Sequence, residues 1–140
     1  LTKLKDILSI ILGSFRPKEK SNYNSGKSIE EQFDDLGAFK YTDNGFVVTF
    51  DGFSKTLNWA DITEINVYKK DLITIDEIRM QIVYGDKQIE ISEELPGWFQ
   101  FTIKTKDIFQ TIPKEWDIEI INPAFATNFR TIYSKAKTAN

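Results

Sequence analysis

The sequence predicts an α+β fold: an antiparallel, strongly curved sheet in the middle of the chain, capping C-terminal helices, and a separate N-terminal amphipathic helix. Three observations predict it. Between Phe46 and Ile91 the apolar residues recur with a period of two, the signature of strands that present alternate side chains to a core. The runs are separated by turn formers, Asp43-Asn44-Gly45, Asp51-Gly52 and Gly85-Asp86, of the kind that supply the positive φ of tight hairpins. At both ends of the chain the apolar spacing changes to that of a helical stripe.

Residues 1–15 come first. Leu4, Ile7, Leu8, Ile11 and Phe15 fall on one helical face, with Thr2 available as N-cap and Lys3, Lys5, Arg16, Lys18 and Lys20 close by. The run is too short to span a bilayer, and no small-residue cleavage site follows it. The stripe is therefore expected to pack on the domain or on another copy of the chain, or else to make a peripheral membrane contact. Residues 16–27 mix Pro, Gly, Ser, Asn and charge without apolar periodicity and read as a linker. The domain proper is expected over 28–140. It opens with the capping box Ser28-Ile29-Glu30-Glu31 and a short helix to about Leu36, closed by Gly37.

Strand parity then follows in order. Phe46, Val48 and Phe50 share one face, and Leu57 and Trp59 repeat the pattern. Beyond Asp61 and Ile62, Ile65 and Val67 alternate with Glu64, Asn66 and Tyr68. Asp71–Asp76 joins this strand to the run Ile78, Met80, Ile82, Tyr84, and Gly85-Asp86 leads to Ile89 and Ile91. Glu93-Glu94-Leu95-Pro96 reads as a helix entrance, with acids beside the positive helix end. Trp98, Phe101, Ile108, Phe109 and Ile112 make a helical stripe, although Phe99, Phe101 and Ile103 also alternate as in a strand, so both readings stay open for 98–112. Asp117–Ile121 is expected to be extended. Phe125, Phe129, Ile132, Tyr133 and Ala136 predict a closing amphipathic helix that starts between Asn122 and Asn128.

Composition removes several chemistries. With no cysteine and no histidine, there are no disulfides, thiolate nucleophiles, imidazole bases, Ser-His-Asp triads or histidine-bound metals. The net charge of −3 disfavours a nucleic-acid partner. Charge is uneven: residues 1–30 carry six Lys/Arg against three Asp/Glu, a balance of +3 that leaves −6 for the rest. No catalytic residue, metal site or cofactor is predicted. Cysteine-free composition fits a cytoplasmic protein, membrane-associated if the first stripe engages lipid.

A strand meander whose third strand leads into Trp59-x-Asp61-Ile62-x-x-Ile65, closed by an amphipathic helix, resembles the pleckstrin-homology-like domains found in many small bacterial proteins. The resemblance covers about residues 37–112, rests also on Phe46–Phe50, and implies a split-barrel architecture without implying an activity. Tyr68-Lys69 with Asp71 and Asp76, then Glu93, Pro96-Gly97-Trp98 and Pro123-Ala124-Phe125-Ala126-Thr127-Asn128, are similar to a bacterial family of unknown function over about 45–135. Members of the pleckstrin-homology group that bind inositol phosphates carry Lys and Arg between their first two strands. Here that loop is Thr42-Asp43-Asn44-Gly45, which disfavours such binding.

The candidate ligand site is Tyr68, Lys69, Lys70, Asp71 and Asp76 at a hairpin end, to be weighed against a solvated loop in which the aspartates only set turns. Asp76-Glu77 and Glu93-Glu94 are poor acid/base pairs, because sequence neighbours on a strand face opposite ways. Asp71 and Asp76 lack the spacing of a calcium loop. Trp59, Trp98 and Trp116 read as core rather than as a pocket lining. The functional expectation is a non-enzymatic binding or scaffold module with a protein partner. The alternatives are an acidic immunity-type protein that covers a toxin's basic surface and, last, a carboxylate hydrolase.

Overall fold

The computed structural model describes residues 35–73 and 75–135. The expectations for the N-terminal helix with Leu4, Ile7, Leu8, Ile11 and Phe15, for the 16–27 linker and for the capping box at Ser28 lie outside these residues. So does the end of the chain after Lys135.

Among the described residues, seven strands and two helices follow in order: β1 (Phe39–Tyr41), β2 (Gly45–Phe50), β3 (Phe53–Asn58), a 3-10 turn (Trp59–Asp61), β4 (Ile62–Asp71), β5 (Asp76–Tyr84), β6 (Lys87–Ser92), α1 (Trp98–Ile108), α2 (Trp116–Glu119) and β7 (Arg130–Ser134). All pairings are antiparallel, so the α+β class holds. The strands form two sheets, β1-β2-β3 and β6-β5-β4-β7, and not one strongly curved sheet. The 3-10 turn is where the chain leaves the first sheet for the second.

The period of two places the core. Phe46 and Val48 of β2, Ile65 and Val67 of β4, and Ile78, Met80 and Ile82 of β5 are all fully buried. In β4 a register shift between Ile62 and Glu64 lets Ile62 and Ile65, three apart, enter the same core. Asp51-Gly52 turns β2 into β3 with both residues at positive φ, as a two-residue hairpin requires. The Thr42–Gly45 turn works differently: Thr42 Oγ1 accepts the N–H groups of Asn44 and Gly45, and Gly45 is not at positive φ. Glycine is needed there for space, because a Cβ would lie 1.9 Å from the Leu57 carbonyl oxygen.

Helix α1 closes the apolar gap and settles 98–108 in favour of helix, but the expected stripe holds only for Trp98 and Phe101: Ile108 is exposed, and Phe109 and Ile112 lie beyond the helix end. The helix buries Trp98, Phe101, Thr102 and Thr105, the i, i+3, i+4, i+7 stripe. Phe101 stacks on Phe39 with ring centroids 4.4 Å apart and meets Phe46 at 4.9 Å, which ties the helix to the first sheet. Trp59, Trp98 and Trp116 are all core residues.

Two expectations near the C-terminus fail. The segment after Trp116 is a short helix, not extended, and buries Trp116 and Asp117. The closing helix is absent from the described residues: 122–129 is irregular and Arg130–Ser134 is β7, paired with β4. Phe125 at φ 61 and Asn128 at φ 50 are incompatible with a right-handed helix. The β4 strand, ten residues long, offers an edge that β7 fills.

Candidate functional site

Parity along β4 separates the residues grouped by sequence. Lys69 follows Ile65 and Val67 onto the core side, whereas Tyr68 lies on the opposite face with Glu64 and Asn66. Lys69 is only 2% exposed. Its Nζ donates to the carbonyl of Ile121 at 2.6 Å and to that of Pro123, and lies 3.5 Å from Asp76 Oδ2. Asp76 Oδ2 also accepts the N–H of Phe125 at 2.6 Å. The Lys69 backbone N–H donates to the Thr127 carbonyl at 2.8 Å. Lys69 and Asp76 thus clamp the 121–127 segment to the end of the β4–β5 hairpin. Asn128 completes the clamp, its Nδ2 donating to the carbonyls of Ile120 and Asn122.

Lys70 and Asp71 face solvent, and Asp71 Oδ1 accepts the N–H of Ile73 at 2.8 Å, which makes it a turn-setting residue. The five candidates therefore do not converge on one pocket. Lys69 and Asp76 form an internal clamp, Lys70 and Asp71 an exposed hairpin end, and Tyr68 part of a separate polar face.

On that polar face, Tyr68 donates to Glu90 Oε2 at 2.7 Å, and Arg79 bridges Glu77 at 2.9 Å and Glu90 at 3.2 Å. Ser92 donates to Glu77. Beside them Asn66 donates to Glu64 and Gln81, both at 2.8 Å, and accepts from Thr131 at 2.7 Å. Burial first, then the hydrogen bond to Glu90, pushes the Tyr68 phenol up to about 12. The carboxylates of Glu77 and Glu90 are both engaged by Arg79, an arrangement suited to holding strands in register.

What sequence reasoning missed lies at the clamped end. Leu72 (38% exposed) and Ile73 (88%) sit on the hairpin turn, and Phe125 (55%) and Phe129 (56%) on the clamped segment. Phe129 stacks on Tyr68 with ring centroids 6.2 Å apart. Ile73 at φ 79 and Phe125 at φ 61 occupy the left-handed region, where a β-branched or bulky side chain is strained. Positive φ and exposure leave no pattern in one sequence. The helical spacing of Phe125 and Phe129 pointed inward instead.

Among the described residues, no group of three or more acidic side chains is placed to hold a metal. No helix among them is long and apolar enough to cross a membrane. In comparisons with known proteins, the chain matches no family model, no curated protein and no solved structure.

Proposed function

We propose that this protein is a non-enzymatic binding or scaffold module of pleckstrin-homology-like architecture, and that its contact surface is the apolar rim Leu72, Ile73, Phe125 and Phe129. The observation that carries the reading is the state of Ile73 and Phe125. Each bears a strained backbone, and Ile73 gives nearly all and Phe125 about half of its surface to water, so both return less stability to the free molecule than buried residues of their size. Strained, exposed apolar residues held by a buried clamp suit recognition, because the clamp has already ordered the surface before a partner arrives.

What supports the scaffold reading is an α+β frame: among the described residues, seven antiparallel strands in two sheets with an aromatic-rich helix packed on them. The clamp consumes the groups that a carboxylate hydrolase would need at this end, since Asp76 is held by Lys69 and by the Phe125 N–H.

The test compares the full chain with its Ile73→Asn/Phe125→Asn variant in quantitative capture from cell extract. Asparagine tolerates positive φ, so the variant keeps the fold. Material held by the natural chain and lost by the variant supports the reading; identical retention by both overturns it.

A further inference from the structure

We infer that the rim is a lipid-contacting tip that seats shallowly in the interfacial layer of a zwitterionic bilayer, an inference that rests on reading the rim as the contact surface. The geometry of the tip comes first. The last pair of the β4–β5 hairpin is Asp71 with Asp76, and Leu72 and Ile73 project beyond it. Phe125 is bonded to Asp76 and so stands at the same level, while Phe129 lies further back on Tyr68.

Entry into a layer poor in water requires that backbone groups be satisfied within the protein. Seven of the groups at this end are. Leu72 N–H donates to the Ile75 carbonyl at 2.9 Å, Ile73 N–H to Asp71, and Phe125 N–H to Asp76. The carbonyls of Ile121 and Pro123 receive Lys69, and those of Ile120 and Asn122 receive Asn128. Each group so paired lowers the cost of taking the tip out of bulk water.

Size favours lipid over protein. With roughly 150–250 Å² for an aromatic side chain, the four exposed residues present on the order of 400 Å² of surface in all. A stable protein interface or dimer needs about 800 Å² from each partner. A bilayer needs only a few inserted apolar side chains. Charge selects the lipid type. The tip's exposed cation, Lys70, is matched by the exposed Asp71, and the chain as a whole carries −3, so anionic headgroups offer no gain. Lys70 and Asp71 fix the depth, because both are exposed and their charges stay with the headgroups.

The experiment is co-sedimentation of the full chain with phosphatidylcholine vesicles, with and without added phosphatidylglycerol. The natural chain is expected to pellet, each of Ile73→Asn and Phe125→Asn to lower the affinity roughly tenfold, and phosphatidylglycerol to add nothing. A Phe125→Trp variant supplies an independent signal, a blue shift of its emission on vesicle addition. The inference is overturned by an absence of pelleting, by pelleting that survives both asparagine substitutions, by pelleting that requires phosphatidylglycerol and vanishes in salt, or by rim-dependent self-association without lipid. If vesicle binding fails while the rim still captures a protein, this inference falls and the binding-module reading stands.

Discussion

Replacing Lys69 with methionine keeps the apolar stem and removes only the ammonium group. Lys69 is 2% exposed, and its Nζ serves the Ile121 carbonyl at 2.6 Å, the Pro123 carbonyl and, at 3.5 Å, the Asp76 carboxylate. The substitution leaves two carbonyls short of their donor and a carboxylate short of its counter-ion. Each hydrogen bond to a charged group is worth about 1.5–3 kcal/mol, and breaking a buried pair costs about 3–5 kcal/mol. These overlap, and Asp76 keeps the Phe125 N–H, so the expected loss is about 4 kcal/mol. That is a large part of the 5–15 kcal/mol typical of a domain. Urea unfolding reads it as a fall in midpoint at unchanged slope. The double variant Lys69→Met/Asp76→Asn should lose less than the sum of the single losses, since the second change removes the stranded charge. A loss below about 1 kcal/mol for Lys69→Met, or strict additivity in the pair, would refute the clamp.

Other consequences are open to the same measurements. Ile73→Asn should raise stability by about 1 kcal/mol, because it relieves backbone strain and uncovers little buried apolar surface; thermal unfolding would show it as a higher midpoint. Gly97→Ala should cost more than about 3 kcal/mol, since its φ is 94° and a Cβ would lie 2.1 Å from the Leu36 carbonyl oxygen; circular dichroism on heating would read this. Tyr68 has its pKa raised from the ordinary 10.0 to about 12, so the folded state favours the protonated phenol. Its contribution is complete below pH 10 and is lost as pH rises towards 12, and Tyr68→Phe should flatten stability over that window.

Much of the fold was legible because half-buried strands advertise themselves. The parity of Phe46 and Val48, of Ile65 and Val67, and of Ile78, Met80 and Ile82 located the strands, and the dipeptides Asp51-Gly52 and Gly85-Asp86 located their hairpins. Trp98 and Phe101 fitted a helical stripe, but Phe99, Phe101 and Ile103 fitted a strand as well, and only the structure decided for α1. The closing helix failed because Phe125, Phe129, Ile132 and Tyr133 have helical spacing but serve different ends. The first two face solvent, and the last two belong to a strand that completes the edge of β4. A pairing of residues some 65 positions apart in the chain, as between Asn66 and Thr131, is invisible to local periodicity.

The candidate site shows the same division. Of Tyr68, Lys69, Lys70, Asp71 and Asp76, neighbours in sequence, the fold joins only Lys69 and Asp76 in the clamp, and the parity that sends Lys69 inward was readable, because it extends the Ile65, Val67 series. The carbonyls that receive it lie more than fifty residues away and left no local trace. Ile73 and Phe125 escaped notice for a related reason: an exposed apolar residue becomes informative only once its backbone is known to be strained.

Stability and vesicle affinity measured side by side on Ile73→Asn/Phe125→Asn bear most directly on the claim that the rim exists for contact. A variant at least as stable as the natural chain, with its lipid affinity reduced by roughly a hundredfold, is the expected result. A variant that unfolds more readily, or binds vesicles as the natural chain does, would make these side chains structural and contradict the claim.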